Sequence, residues 1–145
     1  MDCVIFIGIQ ASGKSTFYKE HFFNTHMRIN LDMLKTRYRE KTYVEASIHA
    51  KQSFVVDNTN PTKLDRKKYI DAVKGKGYKV IGYYFEPDYD GSIVRNELRD
   101  ERYIVPLVGI KSTINRLEKP HYDEGFDELF TVKLVEGNFK SERLE

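Results

Sequence analysis

The chain has 145 residues, 40% apolar and 32% charged, with a net charge of +2. That is the size and balance of one soluble domain rather than a disordered tail, and the small charge leaves room for no more than a local basic patch toward nucleic acid. The single cysteine, Cys3, excludes an intrachain disulfide, and the absence of a bilayer-length apolar run or signal-peptide pattern points to a reducing, cytoplasmic setting with no membrane partner.

Residues 3–9, CVIFIGI, are a continuous apolar run rich in β-branched side chains. This is the pattern of a strand buried on both faces of a parallel sheet, with Cys3 as a small buried residue. A helical pattern starts inside GKSTFYKEHF, MRIN (27–30) predicts a second strand, and residues 31–50 predict one helix. SFVVD (53–57) is a third strand. Thr62 and Asp65 have capping-box spacing after Pro61, so a helix starts there; it stops at Gly75 and Gly77, with Lys74 and Lys76 beside its last carbonyls. YKVIGYYF (78–85) is a fourth strand, helices follow over 89–98 and 107–117, and LFTVKLV (129–135) is a fifth strand. The closing Leu144-Glu145 is given no structural weight. Strand and helix alternate throughout, which predicts an α/β fold with a parallel sheet in one domain over 1–145. Ligands in such sheets sit beyond the carboxyl ends of the strands: here Gly8, Asn30 to Asp32, Asp57 to Asn60, and Phe85 to Asp88.

GIQASGKST (8–16) fits G-x-x-x-x-G-K-[ST], between a buried strand and a helix as that motif requires. Gly8 and Gly13 are expected to take backbone angles that a side chain would block. The N–H groups of the loop, including Ala11, Ser12, Gly13 and Thr16, then converge on phosphate at a helix N-terminus. Lys14 supplies charge at the β and γ phosphates, and the Ser15 hydroxyl can ligate Mg²⁺. The motif indicates a nucleoside triphosphate, with ATP expected, and leaves the phosphoryl acceptor open.

Asp32, in RINLDML (28–34), falls at the carboxyl edge of the second strand. It is either the N-cap of the next helix or a carboxylate that accepts a proton from an attacking hydroxyl. Asp57 closes an apolar strand in the manner of an acid that orients the Ser15 hydroxyl or binds a metal-bound water. Asn58, Thr59 and Asn60 face the same crevice, as substrate contacts, as a turn before Pro61, or as both. Arg95 and Arg99 lie four apart on one helix face, within a lid expected over residues 95–117. The alternative for that pair is a solvated charged face.

Taken in order, GKSTFYKEHF, INLDML, DNTNPTKLDRKKY, RNELR…VP and KPHYDEGFDELF resemble the polynucleotide 5′-hydroxyl kinases of bacteriophage and animal repair enzymes. That resemblance implies sheet order 2-3-1-4-5, Asp32 as general base, and Lys14 and Ser15 as phosphate and metal contacts. It also implies Arg99 as the lid arginine on the ATP phosphates, Arg95 near the nucleotide, and Asn58 and Thr59 at the acceptor strand. Two positions depart from the family. Leu31 stands where an arginine commonly precedes the aspartate, and Lys35, with Arg37 nearby, stands where the phage-type enzyme grips the acceptor phosphate through arginine. Lysine supplies charge but not a bidentate fork. No D-x-D-x-T motif occurs, so the 3′-phosphatase of the bifunctional members is expected outside this chain, on a partner repair or phosphatase protein or another domain.

The expected function is Mg·ATP-dependent phosphoryl transfer to the 5′-hydroxyl of RNA or DNA ends. The alternatives are a small-molecule kinase acting on a nucleoside, sugar or antibiotic hydroxyl, and a regulatory ATPase without an acceptor. Oligomeric state stays open.

Overall fold

The structure, a computed structural model, describes residues 1–145. β1 (Asp2–Ile7), β2 (Met27–Ile29), β3 (Phe54–Val56), β4 (Lys79–Phe85), β5 (Glu128–Val135) and β6 (Asn138–Arg143) form one six-stranded sheet in the order β2-β3-β1-β4-β5-β6. The pairs β2/β3, β3/β1, β1/β4 and β4/β5 are parallel. β1 is central, and its unbroken apolar run has a simple cause. Cys3, Ile5 and Ile7 enter one core cluster, while Val4 and Phe6 enter another. Alternate side chains of a strand point to opposite faces, and here both faces are covered.

The helices are α1 (Lys14–His21), α2 (Leu31–Leu34), α3 (Arg37–His49), α4 (Lys63–Val73), α5 (Tyr89–Glu97) and α6 (Leu107–Arg116). Val44 of α3 and Tyr69, Ile70 and Val73 of α4 pack in the cluster with Cys3, whereas Phe17 and Tyr18 of α1 pack in the cluster with Phe6. The Thr62–Asp65 capping box forms as expected. No helix is long and apolar enough to cross a membrane.

Two expectations need correction. The single helix over 31–50 is two helices, because Lys35 has φ +75° and the Thr36 side chain accepts the Arg39 N–H as a new N-cap. A left-handed residue cannot continue a right-handed helix. The sheet also has a sixth strand. Glu136 (φ +51°) and Gly137 (φ +79°) turn the chain so that β6 pairs antiparallel with β5, the sign pattern of a two-residue type I′ hairpin turn. β6 is mostly exposed, so no apolar run announces it. Its Phe139 packs edge-on against Phe17, with ring centroids 5.3 Å apart. Leu144 is not inert either: its N–H donates to the Leu129 carbonyl at 2.7 Å, and its side chain packs on the core.

Candidate active site

The phosphate loop joins β1 to α1. Gly13 has φ +94°, and a Cβ there would meet the Phe139 ring at 2.8 Å. Gly8 corrects an expectation: its φ is not in the left-handed region. It is required for space, since a Cβ would lie 2.9 Å from the Cβ of Phe85. Its N–H donates to the Thr59 carbonyl at 3.0 Å, so it is not free for phosphate. Ala11 takes the left-handed turn instead, at φ +57°. Lys14 Nζ curls back onto the loop and donates to the carbonyls of Gly8 (3.0 Å) and Ile9 (2.6 Å) and to Ser12 Oγ (3.3 Å). Burial pulls its pKa down, Asp57 raises it, Arg99 lowers it and Asp32 raises it, leaving it at about 8. An ammonium held by carbonyls at the mouth of a helix is positioned to exchange them for phosphate oxygens.

Ser15 Oγ donates to Asp57 Oδ2 at 3.1 Å, the pairing expected from the sequence. The Asp57 side chain is 2% exposed, and its cation partner is Arg28, whose Nε lies 2.9 Å from Oδ2. No group of three or more His, Cys, Asp or Glu side chains is placed to hold a metal unaided. Two hard oxygens beside a phosphate loop still fit Mg²⁺, which takes one or two protein ligands and completes its shell with phosphate oxygens and water.

Asp32 does not cap α2. Asn30 does: its Oδ1 accepts the Met33 N–H at 2.9 Å, and its Nδ2 donates to the Asp57 carbonyl at 2.6 Å. Asp32 is left in the first turn of α2, lining the same cavity as Lys14 and Arg99. That turn is fixed from a distance. The Leu31 N–H donates to Asn58 Oδ1 at 2.8 Å, and Asn58 Nδ2 donates to Glu40 Oε2 at 2.9 Å. Glu40 is buried on α3 and also accepts from Tyr69 Oη (2.8 Å) and Arg37 Nη1 (3.0 Å). The Asn60 amide donates to the Phe6 carbonyl at 2.8 Å. The amides of Asn58 and Asn60 therefore brace the scaffold while both residues line the cavity. Thr59 lines it with a side chain that makes no hydrogen bond within the protein.

The next residues are locked from below. Arg66, fully buried, pairs with both carboxylate oxygens of Glu124 (2.8 and 3.0 Å) and donates to the Asn60, Pro61 and Glu118 carbonyls. This explains why DNTNP and the late EGF stretch occur together: Glu124 anchors Arg66, Gly125 turns at φ +114°, and Phe126 enters the core.

Past α5, Arg99 lines the cavity, and its Nη1 donates to the Tyr103 carbonyl at 3.4 Å. Burial lowers its pKa and Asp32 raises it. Arg95 is used differently: its Nε donates to the Ala11 carbonyl at 2.7 Å, strapping α5 to the loop. Lys35 is exposed and is not part of the cavity wall, whereas Arg37, Lys68 and Arg116 are. Gln10 Nε2 donates to Thr113 Oγ1 at 2.9 Å and joins the loop to α6. The cavity encloses about 460 Å³, lined by five basic and three acidic side chains. Arg28, Glu40 and Lys68 were not legible as site residues, because each occupies a stretch whose spacing reads as ordinary strand edge or charged helix.

A P-loop, a parallel sheet with β1 central and a basic cavity at its carboxyl edge invite comparison with known nucleotide-binding domains. The family described as AAA domain matches residues 3–120. The chain belongs to that family. Its fold is that of P-loop kinases: the gluconokinase of Sinorhizobium meliloti 1021 superposes with TM-score 0.65 at 15% identity, over 93% of this chain and 83% of that one. Kti12 of Chaetomium thermophilum, solved with ADP-AlF3, superposes with TM-score 0.62 at 14% identity, over 90% and 88%. In sequence the chain is 31% identical over 140 residues to an Acanthamoeba polyphaga mimivirus protein provisionally named bifunctional polynucleotide phosphatase/kinase. It is 28% identical over 130 residues to the bifunctional polynucleotide phosphatase/kinase of Schizosaccharomyces pombe (strain 972 / ATCC 24843). These matches cover 90% and 86% of this chain but 33% and 32% of the relatives, so the chain spans about a third of their length. The family resemblance read from the ordered motifs stands, and the phosphate loop of the family implies nucleotide binding.

Proposed function

We propose that the protein transfers the γ-phosphoryl group of ATP to the 5′-hydroxyl of an RNA or DNA end. The observation that carries this reading is that Asp32, Lys14, Ser15 and Arg99 line one cavity together with Arg37 and Lys68. Such a cavity offers cations for a polyanionic donor and a polyanionic acceptor, and a carboxylate in the same lining. The names of the two sequence relatives support nucleic acid as the acceptor.

In this mechanism Lys14 leaves the Gly8 and Ile9 carbonyls for the β and γ phosphates. Ser15, oriented by Asp57, and Asp57 itself would hold Mg²⁺, which when bound would supply counter-charge to the phosphates. Asp32 accepts a hydrogen bond from the attacking hydroxyl and takes its proton. Arg99 meets the charge that develops on the equatorial oxygens. Arg37 and Lys68 are free on their outer sides to contact an acceptor phosphate, which replaces the role expected of Lys35.

The test is γ-phosphate transfer from ATP measured side by side to 5′-hydroxyl oligonucleotides, free nucleosides, sugars and water. Oligonucleotides are expected to be the preferred acceptors. Equal or better transfer to a nucleoside or sugar would make this a small-molecule kinase, and transfer to water alone would make it an ATPase.

A further inference from the structure

The sequence motifs assign Arg28 no role, yet its guanidinium lies on the two oxygens assigned above to the metal. Its Nε donates to Asp57 Oδ2 at 2.9 Å, and its Nη2 donates to Ser15 Oγ at 3.0 Å. Its position is set by three elements. The backbone is fixed by the parallel pairing of β2 with β3, where Arg28 lies opposite Val55. The guanidinium sits 5.9 Å from the centre of the Tyr18 ring on α1. Asp57, at the end of β3, is buried and needs a counter-charge there. The side chain of Arg28 is itself 29% exposed, so it has a path to solvent.

We infer that Arg28 is a resident counter-cation that closes the Ser15–Asp57 pair to a bare divalent ion, so that the metal is admitted with the nucleotide rather than before it. The inference rests on the proposed metal assignment. Ser15 Oγ spends its proton on Asp57 and one lone pair on Arg28, and Asp57 Oδ2 accepts from both. A dication on the same two atoms would face the guanidinium that already donates to both, against one buried carboxylate. Repulsion at that range is strong in a site shielded from water. The negative charge of a polyphosphate reverses the balance, draws Lys14 off its carbonyls and leaves Arg28 free to swing toward solvent or toward phosphate. Metal and nucleotide affinities are then coupled, and the coupling is reciprocal.

The experiment measures Mn²⁺ binding to the full chain by electron paramagnetic resonance, with and without ADP and with no acceptor present. The wild-type protein is expected to bind Mn²⁺ far more weakly without ADP than with it. Arg28→Gln and Arg28→Met are expected to bind Mn²⁺ without ADP about tenfold more tightly than wild type, and the ADP coupling should shrink by the same factor. Arg28→Lys, which keeps the charge, is expected to keep the exclusion. Circular dichroism melts establish that each variant is folded. Unchanged nucleotide-free Mn²⁺ affinity in either folded neutral variant would overturn the inference. So would wild-type affinity that is equally tight without ADP, a result that needs no variant. Absence of Mn²⁺ binding even with ADP would instead remove the metal assignment itself, and because transfer is never read, the outcome is separate from the identity of the acceptor.

Discussion

Lys14 is held by carbonyls five and six residues away, whereas Leu31, beside the candidate base, is held by Asn58, 27 residues on. Asn58 is held in turn by Glu40, and Glu40 by Tyr69, at separations of 18 and 29 residues. The Lys14 anchor is therefore local, held by carbonyls of its own loop, although Gly8, Gln10 and Ala11 of that loop are also tied to Thr59, Thr113 and Arg95. The turn that carries Asp32 is a tertiary object, suspended from α3, α4 and the end of β3. A change at Lys14 acts on the loop that holds it. A change on the acceptor side can act through residues that never touch a substrate.

The largest expected effect is on the acceptor side. Because Asn30 caps α2, Asp32→Asn should leave the fold, the melting temperature and ATP binding intact. It removes the basic oxygen, so transfer to a 5′-hydroxyl oligonucleotide should fall by roughly two to four orders of magnitude. Transfer within a few-fold of wild type would take Asp32 out of the chemistry.

The matching change in the loop is Lys14→Ala. It deletes the fixed charge at the phosphates and should lower transfer by about two to three orders of magnitude, with ATP binding weakened as well, a loss Asp32→Asn should not show. Titration of a fluorescent ATP analogue separates the two variants.

Arg99→Ala sits between the regions. Its target charge grows in the transition state, so kcat should drop by about two orders of magnitude while the KM for ATP changes less. A rise in KM alone would mark it as a ground-state contact.

Glu40→Gln sharpens the comparison most directly. It keeps the shape but leaves one end of the Arg37, Tyr69 and Asn58 network mismatched, at a cost of about 1–3 kcal/mol. The expected signature is a lower melting temperature and a lower kcat at unchanged ATP affinity. Weakened ATP binding would mean that the two regions are not separable.

The smallest effect is a pH dependence in the loop. The folded-state pKa of Lys14, about 8, lies below the ordinary value of 10.5. Between those values the unfolded chain keeps a proton that the nucleotide-free folded chain has lost, so through this group stability rises with pH across that window. Phosphate restores the charge, so nucleotide affinity should fall above pH 8 by at most about tenfold per pH unit. Isothermal titration in buffers of different ionisation enthalpy reads the proton uptake directly, and Lys14→Met should abolish it.

Five strands, their parallel alternation with helices, the phosphate loop and the Thr62 cap were all legible in the amino-acid sequence. Each rests on a signal confined to a few residues: an apolar run, a glycine spacing, a cap and its partner three positions on. What was left open or misread depended on partners elsewhere. Asn30 rather than Asp32 became the cap because its amide also reaches Asp57. The helix broke at Lys35 where Thr36 could restart it. β6 was invisible because an exposed edge strand needs no apolar face. Tertiary structure alone decided that Arg28 would rest on the Ser15–Asp57 pair, that Glu40 would brace the turn carrying Asp32, and that Arg66 would meet Glu124. A buried charge is stable only beside groups that satisfy it, and those groups come from distant points of the chain that only folding brings together.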